Sequence, residues 1–201
     1  QAFAETTAQA MPETMAMLRH AIAAQTVEGK DNVPAFAQYL AGKLESAGFK
    51  KSDIEIIPVA HTAALVVHYR GSDAKLKPIL LSAHMDVVAA NPKDWQRDPF
   101  KLIEENGYLY GRGVADMKTN LITLVETFMR FKREGYVPKR GMILVFSGDE
   151  ETDMASTREL ARRYHDAEFL LNADAGGGTL DAAGKPVLYE IQAAEKTYAD
   201  F

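Results

Sequence analysis

The chain contains no cysteine, one tryptophan and five histidines in 201 residues. Without thiols there is neither a disulfide nor a thiolate metal site, so any metal ion must be held by His, Asp and Glu. Long apolar runs are also missing, and nothing approaches the roughly 18 residues needed to cross a bilayer. A basic stripe is absent too. The 23 Lys and Arg are scattered among 28 Asp and Glu, for a net charge of −5, which argues against nucleic acid as a partner. No Gly-x-Ser-x-Gly elbow occurs, which disfavours a serine hydrolase. Gly111-x-Gly113 lacks the third glycine of a dinucleotide motif, and there is no P-loop. The first residue is Gln1, and Ala2-Phe3-Ala4 has the small-x-small form of a signal-peptidase site. Export to the periplasm or secretion is therefore expected, with the cytoplasm as the alternative.

What is present reads as an α/β domain. The apolar share of 47% and the charged share of 25% suit one soluble globular core. Met15, Leu18 and Ile22 recur at helical spacing after Pro12, a residue suited to a first helical turn. A second helix is expected from Asp31–Pro34, with Phe36, Leu40, Leu44 and Ala47 on its apolar face and Gly48 as a left-handed end. Extended segments follow at Ile54–Val59, Ala63–Tyr69 and Pro78–Ala83, then a hairpin over Leu102–Tyr110 that turns at Asn106-Gly107. Leu121, Leu124, Val125, Phe128 and Phe131 mark a long helix ending at Gly135. Gly141–Ser147 and Phe169–Asn172 are continuous apolar runs, expected as strands buried on both faces. Between them Ser156 and Glu159 have the spacing of a capping box opening a helix to Tyr164. A final strand is expected near Val187–Gln192, after the glycine run Gly176–Gly178. The alternation implies a three-layer sandwich, with helices on both faces of a mainly parallel or mixed sheet.

Charge collects where such sheets bind ligands, at the carboxyl ends of strands. Pro78–Ala83 runs into His84-Met85-Asp86, Gly141–Ser147 into Asp149-Glu150-Glu151, and Phe169–Asn172 into Asp174. Asp116 stands just before the long helix. Singly, each has an ordinary role as a satisfied polar residue, a solvated turn or an N-cap. Together, one His and several acids at strand ends of one kind point to metal. A metal-bound His usually donates its second ring N–H to a carboxylate or carbonyl, a partnership open to Asp86. Glu150 and Glu151 leave an extended chain on opposite sides, so one suits a ligand and the other a general base.

Four segments carry a family resemblance: Ser82-Ala83-His84-Met85-Asp86-Val87-Val88, Trp95-Gln96-Arg97-Asp98-Pro99-Phe100, Gly111–Lys118 and Gly148-Asp149-Glu150-Glu151-Thr152. From about Met15 onward the chain resembles the co-catalytic zinc peptidases, which include glutamate carboxypeptidases, aminoacylases, bacterial dipeptidases and succinyl-diaminopimelate desuccinylase. The resemblance implies a zinc-dependent hydrolase of peptide or amide bonds, acting on peptides or N-acyl amino acids with two Zn²⁺, for which cobalt or manganese could substitute. It implies that His84 and Asp174 hold one zinc, Glu151 the other, and Asp116 both. Glu150 would be the general base on a metal-bridging water, with Asp86 orienting His84. The Asp116–Met117 peptide bond would be cis. Residues 1–192 would form the N-terminal part of the catalytic domain, and 193–201 would enter a lid and dimerisation domain. Beyond that lid the family supplies one more His ligand. Since His20, His61, His68 and His165 lie in no matching context, the 201 residues alone are expected to be nearly inactive and to hold a second metal weakly. Lys118 departs from the family by preceding Thr119 where Gly is common. Another two-zinc aminopeptidase family, or a non-catalytic relative of the fold, is the alternative.

Overall fold

Apolar residues on both faces of successive strands dictate a sheet covered from two sides. In the computed structural model, which describes residues 2–174 and 177–191, five strands lie in the order β1-β2-β6-β3-β7. They are β1 (Ile54–Val59), β2 (Thr62–Tyr69), β3 (Ile79–His84), β6 (Met142–Ser147) and β7 (Phe169–Asn172). β3 runs parallel to β6 and β7, whereas β1, β2 and β6 pair antiparallel. The sheet is therefore mixed, and its parallel trio brings three C-terminal ends to one edge.

Side chains alternate across this sheet with the two-residue period of a strand. Leu65, Val67, Leu144 and Phe146 join the larger core with α1 (Ala2–Ala23), α2 (Val33–Ser46) and α3 (Thr119–Arg133). Ala64, Val66, Ile143 and Val145 form a smaller core with Leu160 of α4 (Ala155–Tyr164). The expected layers are present. In α3, Leu121, Ile122, Val125, Phe128 and Met129 are buried at helical spacing. Gly48, at φ 103°, takes the left-handed position after α2, and Phe49 N–H reaches back to Leu44 O at 3.1 Å. Asn106 and Gly107 both have positive φ (53° and 80°) between β4 (Ile103–Glu105) and β5 (Tyr108–Tyr110), as a two-residue hairpin turn requires.

Several elements depart from the expectation. α1 begins at Ala2 and contains Pro12. The alanine-rich stretch ahead of the proline is strongly helix-forming and carries the helix through it, so Ala2-Phe3-Ala4 lies in its first turn. Ser156 does not cap α4. Asp149 does: its carboxylate accepts the N–H groups of Ala155 (2.8 Å) and Ser156 (3.0 Å). A carboxylate outcompetes a hydroxyl for the positive end of a helix. Glu159 bonds to Arg162 and Arg163 instead of reaching back. β7 is not buried on both faces. Phe169, Leu170 and Leu171 are 49–51% exposed, because among the described residues β7 is the outermost strand and pairs with β3 alone. The final strand is β9 (Pro186–Glu190), and its partner β8 (Gly177–Leu180) was not expected. Gly176, Gln192 and the segment 193–201 fall outside the described residues. Among the described residues no helix is long and apolar enough to cross a membrane.

Candidate metal centre

The end of β3 is held from two sides. Met85 N–H donates to Ser147 O at 2.8 Å, Thr26 Oγ1 donates to Met85 O at 2.7 Å, and Val87 N–H donates to Thr26 O at 3.1 Å. These bonds leave His84 and Asp86 buried, at 1% and 4% exposure. The His84 Nδ1 atom lies 3.0 Å from the backbone oxygen of Asp86 and 3.4 Å from its Oδ1. The Asp86 carboxylate accepts the N–H groups of Glu150 (3.1 Å) and Glu151 (2.9 Å). It therefore ties the end of β3 to the acidic turn after β6, a link that spacing along the chain gives no means to foresee.

Asp116 comes from the turn Val114–Lys118, where it and Met117 leave helical angles (φ −124° and −134°) and their peptide bond is cis. The bond has the geometry that the resemblance implies. Lys118 N–H donates to Gly113 O at 2.7 Å, and Thr119 Oγ1 donates to Val114 O at 2.6 Å. Buried Met117 accepts the His84 N–H on its sulfur at 3.2 Å. Gly113 has φ 88°, and a Cβ there would stand 2.7 Å from Val87 Cγ1, so only glycine fits. In this setting Asp116 Oδ1 is 3.0 Å from His84 Nε2. Asp174 reaches the same nitrogen at 3.6 Å. Asn172 supports it, since its Oδ1 accepts both Ser82 Oγ and the Asp174 N–H (3.0 and 3.2 Å), while Asn120 Nδ2 donates to Ala173 O.

The structure thus brings His84, Asp86, Asp116, Glu150, Glu151 and Asp174 to one edge of the sheet. Two sets of ligand atoms lie within 4.8 Å of one another: His84, Asp116 and Glu151, and His84, Glu150 and Asp174. Of the other histidines, His20 stacks on Tyr39, His68 lies against Tyr164, and His165 Nδ1 lies 2.9 Å from Arg162 O. Burial disfavours a charged His84, but hydrogen bonds and charge from Asp174 and Asp86 outweigh it and lift its pKa to about 11. Burial, with the neighbouring carboxylates, also raises Glu150 and Glu151 above the usual range. Four carboxylates around one buried imidazole carry a negative excess that a divalent cation would offset. The donors are oxygen and imidazole nitrogen without sulfur, a set that suits zinc and its borderline neighbours. The residues present fit a metal centre. Thr26, Asn172 and Lys118 support it unannounced by any motif spacing of their own, although Lys118 lies within the Gly111–Lys118 segment.

Known proteins share this arrangement of chain. The model of peptidase family M20/M25/M40 matches residues 80–197. An uncharacterized carboxypeptidase of Schizosaccharomyces pombe is 31% identical over 160 residues, covering 76% of this chain and 26% of that protein. A probable succinyl-diaminopimelate desuccinylase of Staphylococcus aureus is 37% identical over 143 residues, covering 68% and 35%. The structure of the di-peptidase Dug1p from Saccharomyces cerevisiae superimposes with a TM-score of 0.69 at 24% identity, covering 84% of this chain and 40% of that one. The chain spans 26–35% of the length of these two curated relatives. Since the family match takes in more than half the chain, together with every carboxylate that faces His84, the protein belongs to peptidase family M20/M25/M40.

Proposed function

We propose that the protein supplies the metal-binding part of a hydrolase of peptide or amide bonds: a carboxypeptidase, a dipeptidase or an N-acyl-amino-acid amidohydrolase. The observation that carries this reading is the single buried histidine faced by carboxylates from three separate elements. The relatives' names, carboxypeptidase, desuccinylase and di-peptidase, support an amide bond as the one broken.

His84, Asp116 and Asp174 would hold one zinc ion, and Glu151 with Asp116 the other. When bound, the ions supply Lewis-acid polarisation of the scissile carbonyl and activation of water. Glu150 acts as general base. It takes a proton as the water oxygen bonds to the carbonyl carbon, and returns one to the leaving nitrogen as the C–N bond breaks. Asp86 fixes the backbone of Glu150 and Glu151, and with it the distance between base and ligand.

A second reading makes Glu150 itself a ligand, favoured by its grouping with His84 and Asp174. The test of the main reading is hydrolysis of a panel of dipeptides and N-acyl amino acids by the whole protein, with and without chelator. Activity lost on chelation and restored by zinc is expected. Hydrolysis that persists without metal overturns the reading, and metal binding with no turnover of any amide selects the non-catalytic alternative.

A further inference from the structure

The Gly111–Lys118 segment contributes Asp116 to the centre, but its most deeply buried polar side chain is Lys118, at 0% exposure. Lysine is almost never fully buried without a specific reason. The Lys118 Nζ atom donates to Ala21 O at 2.6 Å and stands 5.1 Å from the centre of the Phe36 ring. Its stem occupies the space left by Gly113, where a Cβ would come within 3.2 Å of Lys118 Cδ. Ala21 lies in the last turn of α1, whose final carbonyls have no partner inside the helix. An ammonium or amine there satisfies one of them at the negative end of the helix.

The other polar ties of this turn have different reach. Lys118 N–H to Gly113 O and Thr119 Oγ1 to Val114 O close the turn on itself. The Met117 sulfur meets β3. The Lys118 side chain fastens the turn to α1, 97 residues away in sequence. One residue, Met117, separates this anchor from Asp116, whose carboxylate stands 3.0 Å from His84 Nε2.

We propose that Lys118 is a positioning residue: it locks the turn Val114–Lys118 against the end of α1 and so sets the place of the Asp116 carboxylate beside His84. The inference rests on the reading of Asp116 as a metal ligand. A partner that orients a ligand typically accounts for 10–100-fold in metal affinity.

The test compares wild type, Lys118→Met, which keeps the stem and removes the donor, and Lys118→Arg, which keeps a donor. Leu44→Ala, in the core of α2 away from the turn, serves as a control for general loss of stability. Zinc affinity is measured by competition with a chromophoric chelator, and amide hydrogen exchange is followed over residues 114–119. The expected result is a 10–100-fold loss of zinc affinity and faster exchange in the turn for Lys118→Met. Lys118→Arg should stay within about threefold of wild type, and Leu44→Ala should keep its zinc affinity. Equal affinity in wild type and Lys118→Met overturns the proposal, as does an equal loss in Leu44→Ala. If Lys118→Met does not fold, Lys118→Arg decides: wild-type affinity supports the anchor, and a folded variant with weakened binding overturns it. A wild-type protein that takes no zinc defeats the metal-centre reading instead, and the exchange data then judge the anchor alone.

Discussion

Two sets of carboxylates lie at the same edge of the sheet and are treated in opposite ways. Asp86 and Asp149 are nearly buried, at 4% and 8% exposure, and their oxygens are occupied by N–H donors from the turn after β6 and the start of α4. Asp116, Glu150, Glu151 and Asp174 are more open and converge on His84. Among the described residues, no hydrogen-bond donor meets the carboxylates of Glu150 and Glu151. A carboxylate given donors stabilises the fold, because breaking such bonds strands buried polar groups. A carboxylate left without them, beside others like it, raises the pKa of its neighbours and is available to a cation. The same residue types, at one edge of the sheet, thus divide into carboxylates tied into the fold and carboxylates available to the proposed chemistry, according to who donates to them.

The largest effect that could break this division comes from Glu150. Glu150→Gln is expected to lower turnover by about 10²–10⁴-fold while leaving metal content, measured by elemental analysis, near wild type. Glu151→Gln should instead lose metal. Equal metal loss in the two variants would make Glu150 a ligand and erase the distinction between them.

Asp86 tests the boundary between the sets, since it is held by donors yet touches the centre. Asp86→Ala should weaken zinc about 10–100-fold. It should also lower the melting temperature, because the part-buried N–H groups of Glu150 and Glu151 lose their acceptor, at up to about 1–3 kcal/mol each. Asp149→Ala should cost about 0.5–2 kcal/mol through its lost cap, seen in thermal or urea melts, with zinc affinity unchanged. If Asp149→Ala released metal as Asp86→Ala does, the split between structural and ligating carboxylates would fail. The smallest effect is expected at Thr152, whose hydroxyl reaches Asp149 O only at 3.4 Å. Thr152→Ala should stay within about 0.5 kcal/mol of wild type.

Much of this was legible before any coordinates, and the pattern of failures is physical. β1 has its expected bounds of Ile54–Val59, and the turn at Asn106-Gly107 falls where expected, because strand alternation and positive φ are local demands on local residues. The sequence also singled out the six residues that the fold brings to one edge of the sheet, because strand ends and acidic turns are local too. Errors came where a distant group decides. Ser156 lost the cap to Asp149, seven residues upstream, a competition that a three-residue spacing rule does not weigh. The apolar run Phe169–Asn172 announces a strand, but not whether anything lies beyond its outer edge. β8 is built from Gly177-Gly178-Thr179-Leu180, which has no alternation to read. The anchoring of Lys118 to Ala21 joins residues that only the folded chain brings together.

The most direct test is zinc binding by the dialysed whole protein, measured by elemental analysis and chelator competition for wild type, His84→Ala, Asp174→Ala and Glu150→Gln. The account predicts tight zinc in wild type, loss in His84→Ala and Asp174→Ala, and retention in Glu150→Gln with turnover abolished. A wild-type protein that holds no divalent metal, or that hydrolyses amides equally well in excess chelator, would contradict it.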